Sequence, residues 1–210
     1  MFISFRNIGW EIYMNLFEGI LSIKLLIGIV LGAVLGLIIN CISFRVINND
    51  EERKKDFKKS KFILIAMVLI TTAIVFKYNS IHSFNYVVAA FFLVLIALID
   101  KYTMYVYNFI ANIGILSSLI VALISSDLKF LYTVPIIIIF FIVAKKGYIG
   151  MGDVRTIVII GFSTGPMELA IIIILSFIIA LVFNIKTKDH QEFPMCPFFA
   201  MAYLIAIILL

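Results

Sequence analysis

The stretch GILSIKLLIGIVLGAVLGLIINCISF, residues 19–44, carries a single charge, Lys24, in an otherwise apolar run. A helix needs about 20 apolar residues to cross the hydrocarbon of a bilayer, so this stretch alone places the chain in a membrane. It is longer than the apolar core of a secretory signal and has no small-residue cleavage site, so it is expected to stay as the first spanning helix. Gly28, Gly32, Gly36 and Asn40 recur at every fourth position. That spacing puts them on one helix face, where the missing side chains let another helix approach closely. Asn40 ends the stripe, with an amide that can face a functional site or be satisfied by a neighbouring helix.

The remainder of the 210 residues agrees: 64% are hydrophobic and 14% charged, against about 45–50% and about 25% in soluble domains. The fold expected is all-α, a polytopic membrane protein forming one domain over residues 1–210. The net charge of +5 is dispersed between apolar runs, which leaves no basic groove and excludes nucleic acid as a partner. The bilayer is the partner that composition implies. Cys41 and Cys196 are far apart and lack the paired C-x-x-C spacing of a structural zinc site, so both read as small apolar side chains and no metal is expected.

Apolar runs predict about eight transmembrane helices, near 19–44, 62–77, 84–100, 103–124, 130–144, 153–164, 167–185 and 195–210. Residues 154–183 are long enough for one helix, but Thr164-Gly165-Pro166 is a turn signal and favours two. Lysine and arginine mark cytoplasmic loops. With the N-terminus outside, thirteen of the seventeen basic residues fall on the cytoplasmic side, leaving Arg6, Lys24, Lys77 and Lys129 on the other. The polar segment NNDEERKKDFKKSK, residues 48–61, mixes four acids with six bases and reads as a short, solvated cytoplasmic loop.

Ionisable groups in spanning segments are costly and therefore functional suspects. Glu18, Asp127 and Glu168 fall at outer helix ends, close to water. Asp100 and Asp153 are 53 residues apart, yet counting crossings brings both to cytoplasmic helix ends, one closing the third helix and the other opening the sixth. Each acid is also explained by capping a helix or pairing with Lys101 or Lys146. The surrounding KKGYIGMGDVRT, residues 145–156, favours chemistry: Gly150 and Gly152 have no side chains to hold a peptide backbone away from Asp153. Two carboxylates sharing a proton can hydrolyse a peptide without metal, one activating water and the other protonating the leaving amine. The dipole of the helix that Asp153 opens points to it as the ionised base and leaves Asp100 as the acid. His82 and His190 fall in loops on opposite sides and do not converge.

These residues resemble the prepilin peptidases, intramembrane aspartic proteases with a G-x-G-D motif. GMGDVRT, residues 150–156, is similar to the family's G-x-G-D-V-K, with Arg155 in the lysine position. ALIDKYTMYVYN, residues 97–108, resembles the segment of the first aspartate; Asn108 matches and Tyr107 replaces a proline. GAVLGLIINCISFR, residues 32–45, is similar to G-S-F-L-N followed by arginine, through Gly36, Asn40 and Arg45, with Leu37 replacing serine. FPMCPFFAMAYL, residues 193–204, is similar to I-P-F-G-P-F-L-A, with Cys196 replacing glycine.

The resemblance implies a G-x-G-D bundle in the cytoplasmic membrane, with Asp100 and Asp153 catalytic at the cytoplasmic face. Gly150, Gly152, Asn40, Arg45, Arg155 and Asn108 are implied as supporting residues. The substrate implied is a type IV prepilin, pseudopilin or competence prepilin-like protein, with a short basic leader, a glycine before the cut and an apolar helix after it. Longer relatives carry a zinc-binding cytoplasmic insertion and also N-methylate the product with S-adenosylmethionine. This chain resembles the short forms, so no cofactor is expected unless methylation is retained. Two other classes stay open: a small proton- or cation-coupled transporter using paired carboxylates, and a non-catalytic pilus-assembly component.

Overall fold

A computed structural model describes residues 2–49, 57–78, 80–125, 128–184 and 193–209, with backbone only for 2–18, 80, 81 and 184. The Glu18 side chain, and Asp127 and His190 altogether, lie outside what is described, as do residues 50–56 of the charged loop. Within the described residues there are eight α-helices and no strand: α1 (Phe2–Asn48), α2 (Lys61–Lys77), α3 (Ser80–Thr103), α4 (Asn108–Ile124), α5 (Val134–Lys145), α6 (Met151–Ser163), α7 (Pro166–Asn184) and α8 (Cys196–Leu209). A 3-10 turn, Leu128–Thr133, leads into α5. Four segments are long and apolar enough to cross a membrane: Gly19–Asn48, His82–Thr103, Leu128–Lys145 and Pro166–Phe183. The chain is an all-α polytopic membrane protein.

The glycine stripe explains how α1 and α2 pack. A Cβ on Gly28, Gly32 or Gly36 would lie 2.7, 2.6 or 2.9 Å from the Cα of Thr72, Val68 or Leu64. Only glycine admits the second backbone at that range. The exposed backbone of α1 is then used: the Thr71 hydroxyl donates to the Gly28 carbonyl at 2.9 Å. Below the stripe two asparagines fasten the returning chain. Asn40 Nδ2 donates to the Ser60 carbonyl (3.1 Å) while its Oδ1 accepts from the Ser60 N–H (3.0 Å). Asn48 makes the same reciprocal pair with Phe57, at 3.3 and 3.1 Å. Within the segment expected to be a solvated loop, Asn48, Asn49, Lys58 and Lys59 are exposed, but Phe57 is buried with Ile39, Ile47 and Leu95, and its ring meets Tyr102 edge-on. One aromatic in a charged run is enough to draw the chain back onto the bundle.

The last helix is held at both ends. Its N-terminus meets α3 and α6, and its final carbonyls are capped from α2: Lys77 Nζ donates to Ile207 and Ile208, at 3.1 and 3.2 Å, and the Tyr78 hydroxyl to Ile207 at 2.9 Å. A lysine at a helix C-terminus satisfies orphan carbonyls and faces the negative end of the dipole. Lys77, one of the four basic residues on the minority side, thus has a structural task.

The two-helix choice over residues 154–183 holds. Helix α6 stops at Ser163, and α7 restarts at Pro166 in the first helical position, where proline fits. At 13 residues α6 is roughly 20 Å long, too short to cross the hydrocarbon unaided. It need not meet lipid: it packs against α3, α4, α5, α7 and α8, and Val154, Ile157, Ile159 and Ile160 are fully enclosed. Its neighbour α5 packs Ile136, Ile137 and Phe140 against the core but has no fully buried residue, as expected of a helix with one side toward acyl chains.

Candidate active site

Three helix termini converge at one end of the bundle. Helix α3 brings Asp100 in its last turn, α6 brings Asp153 in its first turn, and α8 begins at Cys196. The end of α3 is shaped by Met104, whose φ of 56° places it in the left-handed region uncommon for a non-glycine residue. Its N–H still reaches the Asp100 carbonyl at 2.8 Å, and the Thr103 hydroxyl bridges Ile99 and Tyr105. The fourth helix was expected to start near 103; the chain instead runs non-helically over 104–107 and α4 starts at Asn108. That connector carries Val106 against Gly152, where a Cβ would sit 2.7 Å from two Val106 carbons.

On the other side, α5 ends with Gly147 at φ 81° and a bond from the Tyr148 N–H to the Val143 carbonyl, a left-handed helix stop that glycine permits. The chain turns through Tyr148 and Ile149 and enters α6 with Gly150 as the N-cap. Asp153 is the third residue of α6, and its carboxylate accepts the Gly150 N–H, half of a capping box. Capping and chemistry are thus not alternatives for this acid, because the same carboxylate has a second side. Its Oδ1 lies 3.5 Å from Cys196 Sγ, and Asp100 Oδ2 accepts the Cys196 backbone N–H at 3.1 Å. The two acids meet across one cysteine. Helix ends do not tell them apart: Asp153 sits at the N-terminus of α6, and Asp100 faces the N-terminus of α8.

Both carboxylates line a cavity of about 1370 Å³, together with Asn108, Gly150, Gly152 and Arg155. This exceeds the roughly 300–1,000 Å³ of small-molecule clefts. Arg155 donates to the Asn108 side chain at its edge. Its far wall is apolar and includes Phe177, Leu181 and Phe193, all of them exposed on the helix bundle's flank. Six of the eight residues singled out in the sequence therefore come together. Asn40 and Arg45 do not: Asn40 is turned into α2, and Arg45 lines a separate cavity of about 540 Å³ with Lys59. Glu168 is at the opposite end of the bundle, where it accepts the Gly165 N–H ahead of α7.

Cys196 is the residue that the sequence did not assign to the site. Its composition class, a small apolar side chain, hid it; its place at the head of the last motif was the available signal. Among the described residues no cluster of three or more histidine, cysteine or acidic residues could hold a metal ion.

Fold and site together define a polytopic helical membrane protein with paired carboxylates at one end of its bundle. Residues 87–185, just under half of the chain and the part containing both aspartates, match the type IV leader peptidase family. That stretch is similar to the family, and the likeness covers both aspartates and the connector between them. No curated protein and no solved structure gives a significant match.

Proposed function

We propose that the chain is an aspartic endopeptidase that removes the short basic leader of prepilin-like proteins at the cytoplasmic face of the cytoplasmic membrane. The observation that carries this is the meeting of Asp100 and Asp153, from helices far apart in sequence, at one wall of a cavity large enough for an extended peptide. One carboxylate takes a proton from water as the oxygen attacks the scissile carbonyl; the other, protonated, delivers its proton to the departing amine. Arg155 and Asn108 border the entrance, and the apolar flank of Phe177, Leu181 and Phe193 lets the substrate's apolar helix approach from lipid. The basic residues at this end, among them Lys101, Lys145 and Lys146, favour the cytoplasmic orientation. A transporter would hold its acids mid-span on broken helices, whereas these lie at helix ends.

Methylation is not part of this proposal. Of the two implied supporting residues outside the main cavity, Asn40 has its amide committed to Gly36 and Ser60. Arg45 shares its cavity with Lys59 and no described carboxylate, an unfavourable lining for a sulfonium cation. These residues do not fit the cofactor. Mass spectrometry of the matured substrate should show leader loss without an added methyl group; a methyl group that depends on this chain would refute that half.

The main test is co-expression with a prepilin from the same genome. Leader loss should appear as a gel shift with the wild-type chain and be absent with Asp153→Asn. No shift with any prepilin-like substrate, from a chain present in the membrane, would overturn the proposal.

A further inference from the structure

We propose that Cys196 is a positioning residue for the carboxylate pair, its backbone N–H holding Asp100 and its thiol proton, shared between Asp153 and Thr156, holding Asp153. The proposal rests on the two-carboxylate reading above.

Cys196 is completely enclosed, so its thiol does not serve as a surface group. Its N–H reaches Asp100 Oδ2 at 3.1 Å. Its sulfur has Asp153 Oδ1 at 3.5 Å and Thr156 Oγ1 at 3.4 Å. Thr156 is also 3.1 Å from the Gly152 carbonyl, one turn back. The thiol and the hydroxyl bring one proton each to this set of oxygens and sulfur. When Asp153 is ionised, the S–H points at it and the Thr156 proton goes to the Gly152 carbonyl or to sulfur. When Asp153 carries a proton, the thiol is free to turn to Thr156. The sulfur thus reports and stabilises one protonation arrangement of the pair through a weak but well-placed donor. The two contacts also differ in origin. The backbone donor survives any residue except proline at this position; the thiol is the contribution of cysteine.

Two measurements on the full chain in detergent test this. The first does not depend on cleavage. In a Cys41→Ala background the S–H stretching band belongs to Cys196 alone; it should shift as pH is taken through the titration of the aspartates, and Asp153→Asn should abolish that response. A band indifferent to both pH and Asp153→Asn overturns the proposal, even if the protein proves to be an active peptidase. The second is cleavage. Cys196→Ala should lower kcat/KM by about tenfold and displace one limb of the pH profile, and Cys196→Ser, which keeps a donor, should restore both. An alanine variant with the wild-type pH profile, or a serine variant no better than alanine, refutes the positioning role. A responsive band in a chain that cleaves nothing would leave the thiol contact standing and remove the protease assignment.

Discussion

Asp153 and Glu168 occupy equivalent positions, each three residues beyond a glycine whose N–H it accepts. What separates them is the other side of the carboxylate: Asp153 faces Cys196 and the cavity, and Glu168 does not. An amide can still accept the capping bond, since glutamine serves in capping boxes as glutamate does. Substitution by the isosteric amide therefore separates capping from acid chemistry. Asp153→Asn should keep the helix start and lose at least about a thousandfold in cleavage; Asp100→Asn should do the same, and the double variant should be no worse, because the pair acts as a unit. Glu168→Gln should leave cleavage and thermal stability near wild type. An inactive Glu168→Gln beside an active Asp153→Asn would put the site at the wrong end of the bundle.

At the level of elements, the glycines of the G-x-G-D stretch have unequal tasks. A Cβ on Gly150 would come 3.1 Å from the Asp153 carboxylate, a contact that a small shift relieves; one on Gly152 would strike Val106 at 2.7 Å, with the connector behind it. Gly152→Ala should accordingly cost far more activity than Gly150→Ala, and Val106→Ala added to it should recover a substantial part. Equal losses, or no recovery, would show that Gly152 does not seat the connector. The sequence predicted the glycines' importance but assigned it to substrate access. Val106 was invisible because it lies in a segment expected to be helical, where Met104 takes a backbone conformation that no sequence pattern announces. The glycine stripe of α1 was legible for the opposite reason: four-residue periodicity is a local property, and it translated directly into the close approach of α2. Asn40 was legible only as an alternative, since nothing local decides whether an amide serves a site or clasps the next helix.

For the whole molecule, class and helix number followed from apolar length, a property that each span carries alone. The meeting of α3, α6 and α8 depended on three helix ends distant in sequence, and only the aspartates among the groups there were chemically conspicuous; Cys196 was not. The orientation proposed from the basic residues is open to direct measurement. With Cys41 and Cys196 replaced, Lys59→Cys should react with an impermeant thiol reagent only after the membrane is breached, and His82→Cys should react in intact cells. Reversed labelling would move both aspartates to the outer face. The clamp on α8, Asp100 at its start and Lys77 with Tyr78 at its end, also has a consequence for biosynthesis. The ribosome delivers both aspartates long before Cys196, so a nascent chain halted ahead of α8 holds two acids with nothing between them. On the proposed reading, a chain halted there should not cleave, and competence should arrive when the last described helix closes against partners already in place.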